Sequence, residues 1–351
     1  MSGNPVIDLP FAFHGPCGSG VIRTEPEDFR VDEITVTEPD GEGEHALLQV
    51  EKRNANTDWV ARLLAKHAGV KERDVSYAGK KDRNAVTSQW FSVHLPGKPD
   101  PDWSALESPE LKILQVARHG RKLRTGALRG NRFTIRVRGF SGDEGDLRDR
   151  IGLIEKHGIA NYFGEQRFGH HGNNLRRARA LFAGELKRLS RNKRGIYLSA
   201  ARSHLFNQVL ARRVAEGTWD TPMNGERFLL AGSRSSFLAE AIDQELLDRY
   251  REGDIHLSGP LWGRGEIAVS GEVAELEREV LAAFGEERAG LEQFGMKMER
   301  RSLRAPVGDL GWSLENDTLE LTFTLPKGSY ATALLRECVD CREDESGRDS
   351  Y

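Results

Sequence analysis

The stretch YAGKKDRNAVTSQWFSV, residues 77–93, sets one acid, Asp82, among Lys80, Lys81 and Arg83, directly before a run of β-branched and aromatic residues. Cations within two positions favour the charged form of a carboxylate. An ionised Asp serves as a nucleophile or a base rather than as an acid. The same pattern also describes a solvated turn with weak surface pairing, so the loop alone does not choose. Four further stretches add to it: EPEDFRVDEI, GNRFTIRV, NYFGEQRFG and KGSYATALLRE each join an aromatic residue to Gly, Asn or Arg. Such residues stack on a nucleobase and hold its edge and backbone.

Other chemistries lack their motifs. GKK is not a phosphate loop, because that loop needs a glycine at position 74, which is Asp. The sequence has no HExxH, no GxSxG and no dinucleotide fingerprint. His170 and His171 in GHHG need distant partners to hold a metal, and read more simply as a polar loop able to touch phosphate. Cys338 and Cys341 have the spacing of half a zinc site without a second pair, and Cys17 is remote. They read as incidental reduced thiols near a frayed terminus, so no metal is expected. Three cysteines in 351 residues make no disulfide framework, which points to a cytoplasmic protein. No run approaches the ~18 apolar residues of a membrane span, and the N-terminus carries no signal-peptide pattern.

The formal charge of −3 conceals segregation along the chain. Residues 118–132 carry six Lys or Arg and no acid, and residues 166–194 carry nine against Glu185, while acids gather in GEVAELEREVLAAFGEE and REDESGRDS. Basic runs on an acidic chain suit a directed phosphate-binding surface, or an ordinary solvated face.

The length suggests two domains. HALLQVEKRN, VTSQWFSVHL, LKILQVARHG and NRFTIRVRGF read as strands, the last alternating Phe133, Ile135 and Val137. NTDWVARLLAKHAG reads as a helix with Asn56 and Thr57 as cap candidates, and DEGDLRDRIGLIEKHG as another with Leu147, Ile151 and Ile154 inward. From about residue 160 the texture turns helical and polar. DTLELTFTLP then alternates Leu319, Leu321, Phe323 and Leu325, and GSYATALLRECV reads as a helix. Residues near 305–341 are therefore expected to complete the sheet begun by the first 140, with a domain inserted between and a disordered tail at 342–351.

AGKKDRNAVTSQW matches the catalytic signature of the TruD family of tRNA pseudouridine synthases, and the chain resembles that family along most of its length. EPEDF, EPDGEGEH, RKLRTGALRGNRFT, NYFGEQRFG, RNKR, LSAARSHLFNQ and LPKGSYAT are similar to the family's stretches and follow its order. Coverage is weakest at about 215–315 and in the tail. The resemblance implies an α+β fold: a pseudouridine-synthase catalytic domain, with a mixed, mainly antiparallel sheet flanked by helices, at 1–156 and 304–341, and an inserted α/β domain at 157–303.

It further implies a cofactor-free, metal-free isomerase that turns the uridine at position 13 of certain tRNAs into pseudouridine, and a monomer with tRNA as its partner. Asp82 is then the catalytic carboxylate, as a sugar nucleophile or as a base giving a glycal. Arg23 aligns with the basic position that pairs with it, where some relatives carry Lys. Lys81 and Arg83 are expected to hold Asp82 ionised and approach phosphates. Phe29, Asn131 and Tyr330 look like the substrate-contacting positions, Asn131 offering both a donor and an acceptor to a pyrimidine edge; Phe133 is a further candidate and equally a core residue. Arg191, Lys193 and Arg194 are expected to bind the tRNA backbone, and NYFGEQRFG to act as a hinge or an RNA contact. The alternatives are an RNA-binding module that keeps the fold without the reaction, against which the intact Lys81-Asp82-Arg83 loop speaks, and a metal-dependent RNA hydrolase, for which no acidic cluster is evident.

Overall fold

The computed structural model describes residues 9–186, 188–233 and 235–343. Ten strands form one mixed sheet: β1 (Gly18–Ile22), β2 (Phe29–Thr35), β3 (His45–Arg53), β4 (Val75–Tyr77), β5 (Val86–His94), β6 (Leu111–His119), β7 (Leu128–Gly142), β8 (Gly308–Glu315), β9 (Thr318–Pro326) and β10 (Val339–Glu343). Their order is β8-β9-β7-β2-β5-β3-β6, with β1 bridging β7 and β10, and β4 on β5. The pairs β2/β5 and β1/β10 are parallel and the rest antiparallel.

Alternation decides which side chains share a face. Register aligns Lys52, Thr87, Val31, Phe133 and Phe323 in one row across β3, β5, β2, β7 and β9. Two residues along, Glu33, Asn131 and Leu325 form part of the next row on the same face. Helix α1 (Thr57–His67) packs Val60, Leu64 and Ala65 against Leu48, Val50 and Phe91. Leu47, Trp90, Ala78, Leu123 and Leu128 form a second cluster.

Contacts divide the chain into two compact units. One holds Cys17–Leu147, Val307–Gly328 and the chain from Val339; the other holds residues up to Pro16, Arg148–Pro306 and Ser329–Cys338. The division falls within α2 (Glu144–His157), and the second unit carries α3 (Glu165–Phe168), α4 (Asn173–Phe182), α5 (Arg191–Ala215), α6 (Gln244–Arg251), α7 (Gly271–Ala282), α8 (Gly285–Gln293) and α9 (Ala331–Cys338). Short strand pairs complete it, among them Ser258–Leu261 with Glu299–Ser302. Arg213 and Glu226, 2.6 Å apart and almost fully buried, form one of its interior ion pairs.

The C-terminal stretch differs from the sequence reading. The helix of GSYATALLRECV ends at Cys338, and Val339–Glu343 pairs with β1, placing Arg342 and Glu343 opposite Val21 and Ile22. Cys338 is fully buried in α9. Cys341 lies in β10 opposite Gly20, and burial pushes its thiol up to about 12. These thiols belong to packed elements, not to a frayed end. Of the expected disordered tail, residues 344–351 lie outside the described residues.

Candidate active site

Asp82 sits in the loop between β4 and β5. Lys52 and α1 hold this loop in place. The buried Lys52 reaches it from β3, its ammonium donating to the main-chain oxygen of Asp82 at 2.7 Å. Burial brings the Lys52 ammonium down to about 8, against the opposing pull of the Asp82 charge. Of the two cap candidates, Asn56 takes the N-cap position of α1, while Thr57 accepts the main-chain N–H of Lys81 at 3.1 Å and donates to Gln89 at 2.9 Å, tying the loop to β5. Asp58 accepts from Lys80 at 2.6 Å and from the Tyr77 hydroxyl at 2.5 Å.

The side chain facing the Asp82 carboxylate comes from far away in sequence. Arg23 Nη2 donates to Oδ2 at 3.1 Å, with the carboxylate about one quarter exposed. Arg23 has φ +62, in the left-handed region that costs an L-residue about 1 kcal/mol. Its guanidinium lies 4.2 Å from the centre of the Phe29 ring. The EPEDF stretch explains that ring's place. Its Asp28 is fully buried, accepts the Glu25 N–H at 2.9 Å, and receives Arg138 through Nε and Nη2 at 2.8–3.0 Å. Phe29 then enters β2 as its first residue.

Two expectations change here. Lys81 and Arg83 do not hold the Asp82 carboxylate in an ion pair: Lys81 turns inward to Glu33 Oε2 at 3.1 Å and Asn131 Oδ1 at 2.6 Å, while Arg83 is exposed. Phe29 and Phe133 are both buried. They are 2% and 6% exposed, and Phe133 stacks on Phe323 at 5.2 Å with Phe29 edge-on at 6.4 Å. Asn131 does not present its carbonyl freely, since Lys81 takes it. Gly130 before it is required by close approach, because a Cβ there would lie 2.2 Å from the Leu325 carbonyl.

Lys52 and Glu33 were missed, and a signal for both was present. Each is a charged residue at an inward position of an alternating strand, after Leu48 and Val50 in β3 and after Phe29 and Val31 in β2. Burial raises the Glu33 carboxyl, opposed by Lys81.

The family profile of tRNA pseudouridine synthase D (TruD) matches residues 10–182 and 173–338. The chain is 51% identical to tRNA pseudouridine synthase D of Methylococcus capsulatus over 97% of its own length and 98% of that protein's. It is 50% identical to the protein of that name from Nitrosococcus oceani, over 95% and 94%. The chain belongs to the TruD family. It is thus an isomerase of the pseudouridine synthase class. The crystal structure of a protein assigned as TruD from Methanosarcina mazei superposes with a TM-score of 0.70 at 22% identity, covering 93% of this chain and 95% of that one, and shares its fold.

The remaining family stretches lie in the second unit. Tyr330, just before α9, accepts Arg167 Nε at 3.1 Å through its hydroxyl and stands edge-on to Phe163 at 6.0 Å. Arg301 lies 4.0 Å from the Phe163 ring centre, its guanidinium lowered to about 10 by burial. Tyr162, Phe163 and Phe168 are buried, so the aromatics of NYFGEQRFG are core residues. Arg191, Lys193 and Arg194 occupy the exposed first turn of α5, whose cap Ser190 accepts the Lys193 N–H at 3.3 Å. The GHHG histidines are exposed, and among the described residues no His, Cys, Asp or Glu cluster forms a metal site. No described helix is long and apolar enough to cross a membrane.

Proposed function

We propose that this TruD protein converts uridine to pseudouridine at position 13 of tRNA, with Asp82 as the reacting carboxylate. The reaction breaks the bond from ribose C1′ to uracil N1, joins C1′ to C5, and moves the C5 proton off and a proton onto N1, so atoms balance without a co-reactant. Addition to the sugar and proton removal to a glycal both draw on an ionised carboxylate. The observation that carries the reading is the Asp82 carboxylate, partly open to solvent, with Arg23 on its oxygen at 3.1 Å and Lys52 fixing its main chain from the interior at 2.7 Å.

Arg191, Lys193 and Arg194 bind tRNA phosphates in this reading. Among the described residues none of the three has an ion-pair partner, and they crowd the positive end of a 25-residue helix, where a cation costs about 0.3–1 kcal/mol. A polyanion offsets that repulsion.

The test is to treat an unmodified tRNA transcript with the protein and map the product by a pseudouridine-specific carbodiimide adduct and reverse transcription. A protein-dependent stop at position 13 supports the reading. Bound transcript with no stop anywhere removes it.

A further inference from the structure

We propose that Lys81 and Glu33 fix Asn131 as a hydrogen-bond donor to a carbonyl oxygen of the target uracil, so that the uracil N3–H finds its acceptor elsewhere. This rests on the reading of Asp82 given above. A lysine ammonium has three donors and no acceptor, so the end of the Asn131 amide facing Lys81 Nζ at 2.6 Å is its carbonyl. The partner's chemistry thus settles the amide orientation, which a neighbouring hydroxyl or water would leave open.

Lys81 is itself held in place. Its side chain is 7% exposed and that of Glu33 1%, with Nζ and Oε2 3.1 Å apart. Sheet register sets Glu33 directly opposite Asn131, with Leu325 on the other side. The Nδ2 end of Asn131 is left for a ligand, and no described residue accepts from it.

Lys81 is also the covalent neighbour of Asp82, and its own N–H is tied to Thr57 at 3.1 Å. One anchor therefore sets both the carboxylate and the group that reads the base edge. Uracil offers two carbonyl acceptors flanking N3–H; a donor amide selects one of the carbonyls. Lys81 and Glu33 act through Asn131 and are positioning residues.

The test uses the full-length protein and tRNA carrying 5-tritiated uridine, 2-thiouridine or 4-thiouridine at the target, since sulfur is the weaker acceptor. In the parent, sulfur at the contacted position lowers turnover about three- to tenfold. In Asn131→Ala that position no longer matters, while sulfur at the other affects both proteins alike. Lys81→Met alone would leave a buried charge unpaired, so the double variant Glu33→Gln/Lys81→Met is used. It should keep its melting temperature and tRNA affinity while the sulfur effect shrinks toward one, which a merely structural pair would not produce. Equal sulfur effects in the parent and Asn131→Ala, or an undiminished effect in the double variant, would overturn the proposal. Tritium release that depends on Asp82 but shows no Asn131-dependent sulfur effect sinks this inference alone. Absent or Asp82-independent release removes the underlying reading as well.

Discussion

The two cations that serve Asp82 lie 59 and 30 residues before it, and each does a different task. Arg23 meets the carboxylate; its loss removes a charge-assisted hydrogen bond of about 1.5–3 kcal/mol. Arg23→Ala should lower kcat/KM by on the order of 10- to 100-fold with tRNA affinity unchanged, and Arg23→Lys should recover part of that, read by steady-state kinetics. Lys52 meets the main chain, and its ammonium titrates at about 8. The unfolded chain keeps this proton up to about 10.4. Between those values the unfolded state binds more protons, so this group's contribution to stability rises with pH. Activity runs the other way, because the amine is the weaker donor. Turnover should decline as pH rises through about 8, and Lys52→Met should be slower and lack that limb. A pH–rate profile identical in the two proteins would show that Lys52 has no part in holding the loop.

At the scale of elements, β2, β7 and β9 supply the apolar ground on which the polar site stands. Phe133 lies between Val31 and Phe323 in register, and Phe133→Ala should cost about 3–5 kcal/mol, read as a lowered urea midpoint. Gly130→Ala forces a methyl onto the Leu325 carbonyl and should both destabilise the fold and lower turnover through the displaced Asn131. These strands were legible: Phe133, Ile135 and Val137, and Leu319 through Leu325, alternate as one buried face, and both runs are where they were expected. The site was legible only in its members. Lys80, Lys81 and Arg83 are close to Asp82 in sequence, yet Lys80 turns to Asp58, Lys81 to Glu33, and Arg83 to solvent. Sequence adjacency says nothing of direction in a loop. The partners that matter arrive through strand pairing, which a single sequence does not display. Strand β10 was missed because VDCRE follows a helix without a break and carries little apolar signal.

For the whole molecule, a net charge of −3 coexists with a basic first turn on α5, and tRNA affinity should follow the local charge, not the sum. Replacing Arg191, Lys193 and Arg194 together by Ala should weaken binding and reduce the slope of log Kd against log salt by up to about 2–3, with the fold intact. An unchanged slope would remove this turn from the RNA interface. The central claim is that Asp82 does the chemistry. Its most direct test is tritium release from tRNA labelled at C5 of uridine, comparing the parent with Asp82→Asn at matched, measured tRNA occupancy. The account predicts release by the parent and none above background by the variant, with both binding tRNA. Comparable release from Asp82→Asn would contradict it.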